Sequence, residues 1–180
     1  MIVKKGFAGF ITIVLVLMST QGTARQLWLS DPEIQVIETS IYDAQFQPLK
    51  NENNIFVAFN ITVINKTEQD LVIDWNRSRY IHDGRGRGPF VFEGIEPETI
   101  RNETVPPDII PPKGRMSKRI APFRLIAFAP LGNPGVGIAT KGIAAGKIPA
   151  GENGIYLVVR QGERDFRRKI TVHLSVTGDP

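Results

Sequence analysis

The chain has 180 residues, with 22 Lys and Arg against 18 Asp and Glu, two His and no Cys. A net charge of +4 is too small for a general polyanion binder, which carries a strong basic excess. The absence of Cys excludes a disulfide framework, a Cys nucleophile and a lipid-anchored N-terminal Cys.

Residues 1–24 read as an export address. "MIVKK" places Lys4 and Lys5 before "GFAGFITIVLVLM", an uncharged apolar run of 13 residues, and "STQGTA" offers small residues for cleavage after Ala24. Basic start, apolar stretch and small-residue exit make the layout of a signal peptide. The run is shorter than the roughly 20 residues that a stable membrane span needs. Cleavage would leave residues 25–180 as a single domain with 20 basic and 18 acidic residues. That length buries a core without covalent staples.

The rest of the chain has the period of strands. "EIQVIETSIY" is apolar enough for a strand, but its phase shifts between Val36 and Ile37, which predicts a bulge or a change of sheet. "NIFVAFNITVIN", residues 54–65, puts Ile55, Val57, Phe59, Ile61 and Val63 on one face, the alternation of a half-buried strand. "NKTEQD" reads as a turn and "LVIDW" as the next strand, with Leu71, Ile73 and Trp75 inward. Together they predict a hairpin.

"IHDGRGRGPF", residues 81–90, is expected to be an exposed loop, followed by a strand in "PFVFEG". Residues 94–115 hold five Pro and read as an extended connection, and "SKRIAPFRLIAF" supplies another strand. Residues 129–154 contain seven Gly and three Pro. Loops of this length are functional or mobile. At the C-terminus, "GIYLVVR" points Ile155, Leu157 and Val159 to one side, "QGERD" turns, and "FRRKITVHLSV" answers with Ile170, Val172, Leu174 and Val176. Six or seven strands without a useful helical period predict an all-β, antiparallel sandwich of about seven strands.

The succession "NIFVAFNITVINKTEQDLVIDW", "IIPPKGRMSKRIAP" and "GIYLVVRQGERDFRRKITVHLSV" resembles small exported bacterial proteins built from one immunoglobulin-like β-sandwich. The resemblance spans roughly residues 33–177. It implies fold and compartment, and supplies no catalytic residues.

Motifs for catalysis are poorly matched. Gly84, Gly86 and Gly88 are followed by Pro89 and a strand pattern, whereas a phosphate cradle needs a helix N-terminus behind its glycines. In "GIAAGKI", Gly142 and Gly146 are too close for a nucleotide loop, and Ile148 stands where a hydroxyl should hold magnesium. His82 and Asp83 are neighbours, which point apart on an extended chain, and His173 falls on the polar face of a strand. No Ser lies in a nucleophile elbow. Glu93, Glu96, Glu98 and Glu103 leave a glycosidase-type carboxylate pair as an alternative. The sequons at Asn60, Asn65, Asn76 and Asn102 read as turn chemistry.

Basic and aromatic residues interleave at Arg77, Arg79, Tyr80, Arg85 and Arg87. Such a surface can stack bases, but in an exported, nearly neutral chain it fits a protein partner better, since Arg and Tyr are favoured at interface hot spots; an acidic partner, or the chain's own acidic loop at 93–108, could meet these arginines. The expectation is a periplasmic or secreted, non-enzymatic accessory protein that binds another envelope protein. No cofactor, metal or nucleic acid is expected. A small-ligand sandwich with the Gly-rich segment 129–154 as a lid is the alternative.

Overall fold

A computed structural model describes residues 26–92, 105–129 and 142–177. The expected leader at residues 1–24, the carboxylates Glu93, Glu96, Glu98 and Glu103, Asn102 and the centre of the Gly-rich segment lie outside the described residues.

The strands, in chain order, begin with β1 (Leu27–Asp31), β2 (Gln35–Glu38), β3 (Tyr42–Lys50), β4 (Phe56–Asn65) and β5 (Leu71–Ile73). Next come β6 (Arg79–His82), β7 (Arg85–Gly86), β8 (Phe90–Phe92), β9 (Asp108–Ile110) and β10 (Arg115–Pro122). A 3-10 turn (Phe123–Leu125) leads to β11 (Ile126–Ala129), β12 (Gly142–Ala145), β13 (Gly151–Gln161) and β14 (Arg164–Thr177). The larger sheet has seven strands, ordered β1-β14-β13-β5-β9, with the β6–β7 hairpin also on β13. The smaller has five, ordered β2-β3-β4-β10-β8, and β11 pairs with β12 apart from both. The fold is a two-sheet β-sandwich. No helix among the described residues is long and apolar enough to cross a membrane.

The two sheets share one core. Trp28, Tyr80, Ile155, Leu157, Ile170 and Leu174 reach it from the larger sheet, and Phe46, Phe59, Ile61 and Ile120 from the smaller. Phe59 and Tyr80 meet across the gap with ring centroids 6.3 Å apart. Each fully buried side chain of this size contributes about 1.5–3 kcal/mol. The C-terminal hairpin follows its alternation: Ile155 pairs with Ile170 and Gly154 with Thr171. Gly162 turns the hairpin at φ 55°.

Three local expectations are corrected. The segment 33–42 is two strands, β2 and β3, rather than one bulged strand. Thr39 makes the turn between them, its Oγ1 accepting from the Ile41 and Tyr42 amides at 3.2 and 2.9 Å. The segments 54–65 and 71–75 do not form a hairpin. Both edges of β4 are occupied, by β3 and β10, so the chain crosses to the other sheet. Asn65 directs that crossing: its buried amide donates to the carbonyls of Gln69, Ile110 and Pro111 at 2.7, 3.1 and 2.9 Å. Finally, the pairing skips Val57 between Leu49–Ala58 and Lys50–Phe56. This bulge turns Phe56, in place of Val57, into the main core.

Trp75 is 3% exposed. Its indole N–H donates to Asp108 Oδ2 at 2.7 Å, and the same oxygen takes the Lys118 ammonium at 2.5 Å. Lys118 also lies 4.1 Å from the Phe92 ring centre. Asp108 belongs to β9 and Lys118 to β10, so this cluster clasps one sheet to the other.

Candidate interaction surface

"IHDGRGRGPF" is a second hairpin rather than a plain loop. Ile81 pairs with Gly86 and His82 with Arg85, which leaves only Asp83 and Gly84 in the turn. Both have positive φ, 47° and 71°, the signature of the two-residue turn that matches strand twist. The ladder continues as Arg87 N–H donates to Tyr80 O at 2.7 Å and Tyr80 N–H to Gly88 O at 2.9 Å.

The hairpin is fastened to β13. Arg79 to His82 pair with Tyr156 to Asn153. Asp83 exchanges hydrogen bonds with the Glu152 backbone, donating its amide at 2.9 Å and accepting at Oδ1 at 3.1 Å. Gly151 allows this approach, because a Cβ there would stand 2.6 Å from Asp83 Oδ1. His82 and Asp83 do meet, at 3.3 Å between Nε2 and Oδ2. The expectation that they point apart holds for extended chain, and the positive φ of Asp83 breaks that geometry. Among the described residues no group of three His, Cys, Asp or Glu is placed to hold a metal ion.

The five interleaved residues separate into distinct environments. Tyr80 is 2% exposed, so its ring supports the hairpin from inside and offers no surface to a partner. Its hydroxyl donates to the buried Asn153 Oδ1. Burial pushes the Tyr80 hydroxyl pKa up, and nearby Asp83 adds to the shift, so it stays a donor. Arg87 is half-buried, and its Nε is enclosed without a hydrogen-bond partner among the described residues. Arg77 is exposed but paired internally, with Asp165 and, at 3.6 Å, with Asp74. The Arg77 guanidinium beside Asp165 holds that carboxyl below the usual range.

Arg79 and Arg85 are the exposed pair. Among the described residues neither has a carboxylate partner, and Arg79 donates only to its neighbour's carbonyl, Ser78 O, at 2.9 Å. Ser78 is itself buried, donating to Asp74 O at 2.8 Å and accepting from Val158 N at 3.1 Å, which steadies the chain before Arg79. The result is a firmly held hairpin whose two guanidiniums have no carboxylate among the described residues, and a guanidinium can form bidentate contacts with one.

The pairing of β6 with β13 also brings residues that the sequence reading passed over. Arg79 lies opposite Tyr156, and Tyr156 opposite Lys169. The signal was present in the alternation, since Tyr156 and Arg160 fall out of phase with the buried Ile155, Leu157 and Val159.

Two clefts flank Trp28, the first of them reaching Gly151 beside the hairpin turn. One, about 690 Å³, is lined by Lys147, Pro149, Gly151 and His173, and the other, about 470 Å³, by Glu33, Gln47, Lys50 and Phe56. Lys147 lies 4.5 Å from the Trp28 ring centre and Lys50 5.0 Å from that of Phe56. These ammonium groups cap rings that are already buried, so neither ring is an open stacking platform.

Fold and surface together define a two-sheet β-sandwich with an arginine-bearing hairpin on its larger sheet. Comparison with protein-family models, with curated proteins and with solved structures gave no match.

Proposed function

We propose that the protein is a non-catalytic, exported accessory protein of a bacterial envelope, an immunoglobulin-like sandwich released from its leader after Ala24. Residues 25–180 act as one periplasmic or secreted domain. It works by contact, through the β6–β7 hairpin, with an acidic surface of another envelope protein. The observation that carries this reading is the pairing state of the arginines: among the described residues, Arg79 and Arg85 are exposed on a fastened hairpin without a carboxylate, whereas Arg77 is already satisfied. A cross-linked pull-down from the native envelope, comparing wild type with Arg79→Ser/Arg85→Ser, tests it. Capture is expected to fall in the double variant and with rising salt, because exposed charges are screened. Equal capture by both proteins overturns it.

One observation favours a small ligand as the second reading. The end of the Gly-rich segment, Lys147 to Gly151, lines the larger cleft beside Trp28. A small molecule retained through gentle purification and lost in Lys147→Ser would support it.

A further inference from the structure

We propose that the outer face of β6, β13 and β14 is a docking surface for an extended acidic peptide segment of the partner. The proposal rests on the reading of the hairpin as a contact surface and names the chemistry of what binds there.

The register lays out this face row by row. Arg79, Tyr156 and Lys169 stand side by side across three strands. One step along, Val158, itself buried, pairs with the exposed Arg167, and beyond it Arg160 with Asp165. Arg79, Arg160, Arg167 and Lys169 are exposed, with Tyr156 half-buried among them. Among the described residues, opposite charge on the face is scarce and shared. Asp165 serves both Arg77 and, at 3.2 Å, Arg167. Glu152 serves Lys169 at 2.7 Å. Among the described residues, Arg160 faces Asp165 in the register but makes no ion pair. Among the described residues, cations therefore remain in surplus around one aromatic ring.

The pattern favours a peptide over a continuous polyanion. Arg167 and Lys169 are two apart on one strand and so repeat at roughly 6.7 Å, twice the rise per residue of a strand. Alternate residues of an extended peptide have the same period, so carboxylates at every second position can meet successive cations. Asp165 and Glu152 interrupt the positive field, which opposes an unbroken negative surface such as an anionic bilayer or polysaccharide. Gly154 lets β13 and β14 pack closely within this sheet: a Cβ there would stand 2.2 Å from Ile170 O and 2.5 Å from Thr171 Cγ2.

The test measures fluorescence anisotropy of a labelled peptide with Glu at alternate positions, against the full mature chain. Phosphatidylglycerol vesicles and heparin serve as competing probes. Binding is expected for the peptide and to weaken as salt rises. Arg160→Ser/Arg167→Ser is expected to weaken it by roughly fivefold per charge, the size of an exposed ion pair, at an unchanged melting temperature. Tyr156→Ser serves as an independent variant of the same face. Binding of vesicles or heparin in preference to the peptide overturns the proposal. So does unchanged peptide affinity in both variants. If Arg160→Ser/Arg167→Ser still captures the envelope partner while Arg79→Ser/Arg85→Ser does not, the sheet face fails and the hairpin reading stands. If neither variant loses the partner, both fail.

Discussion

Replacing Trp75 with Ala tests how the two sheets are held together. The ring is 3% exposed and packs 5.1 Å from Phe92, centroid to centroid. Loss of a buried aromatic, with the cavity it leaves, costs about 3–5 kcal/mol. The change also removes the indole donor from Asp108 Oδ2, and a hydrogen bond to a charged group is worth about 1.5–3 kcal/mol. Lys118 still reaches that carboxylate at 2.5 Å, so most of this second loss is recovered and the total stays near the upper end of the first range. Trp75→Phe keeps part of the ring packing, leaves a smaller cavity and loses the donor, so it is expected to cost less than Trp75→Ala. Urea unfolding reads both variants. The chain has two Trp, so Trp28 fluorescence still reports the transition in either one. A loss under about 1 kcal/mol for Trp75→Ala would refute the clasp and place the ring where it contributes little.

Other perturbations probe the hairpin and its setting. Tyr80→Phe leaves the buried Asn153 Oδ1 without its donor and is expected to cost about 1–3 kcal/mol in urea unfolding; a neutral change would mean that Asn153 is otherwise satisfied. Gly84→Ala forces a side chain into the left-handed region at φ 71°, costing roughly 1–2 kcal/mol, with no accompanying steric clash because nothing lies within 4 Å of that position. Acid dependence follows from Asp165 and Glu152, whose carboxyls are held low by Arg77 and Lys169 respectively. A lowered folded pKa stabilises the fold above the usual carboxylate range, and that contribution disappears as pH falls through the folded value. Asp165→Asn should therefore flatten the acid side of a stability-versus-pH curve, and an unchanged curve would show that the pairing with Arg77 is not formed in solution.

What the sequence disclosed follows from how local each cause is. The C-terminal hairpin was legible because Ile155, Leu157, Val159, Ile170, Val172 and Leu174 obey a strict period of two and are all buried. Trp75 was placed correctly by the same phase. The crossing after Asn65 was not legible, because its cause is the occupation of both edges of β4 by strands distant in sequence, β3 and β10. Short strands such as β6 and β9 owe their existence to pairing with β13 and β5, which no local pattern reports. The Asp83–Gly84 turn was legible in principle, since Asp-Gly is a hairpin turn pair, but Arg85 to Pro89 do not alternate as a strand should. In the candidate surface, the arginines were visible as a cluster. Their pairing states were not: Arg77 meets Asp165 across 88 residues of chain, and Tyr80 turns inward because Ile155 opposite it faces the core.

The most direct measurement is photo-cross-linking from a light-activated residue placed at position 86, in cells, with position 113 as the control. Gly86 is exposed on the hairpin with nothing within 4 Å of a Cβ, so both arginines stay in place. Lys113 is exposed on the turn between β9 and β10, paired with Glu68 at 2.9 Å, away from the hairpin. A discrete adduct with an acidic envelope protein from position 86, absent from position 113 and reduced when Arg79 is replaced by Ser, is the predicted result. Equal labelling from both positions, or none from position 86 while the protein remains folded and exported, would contradict a function carried by this hairpin.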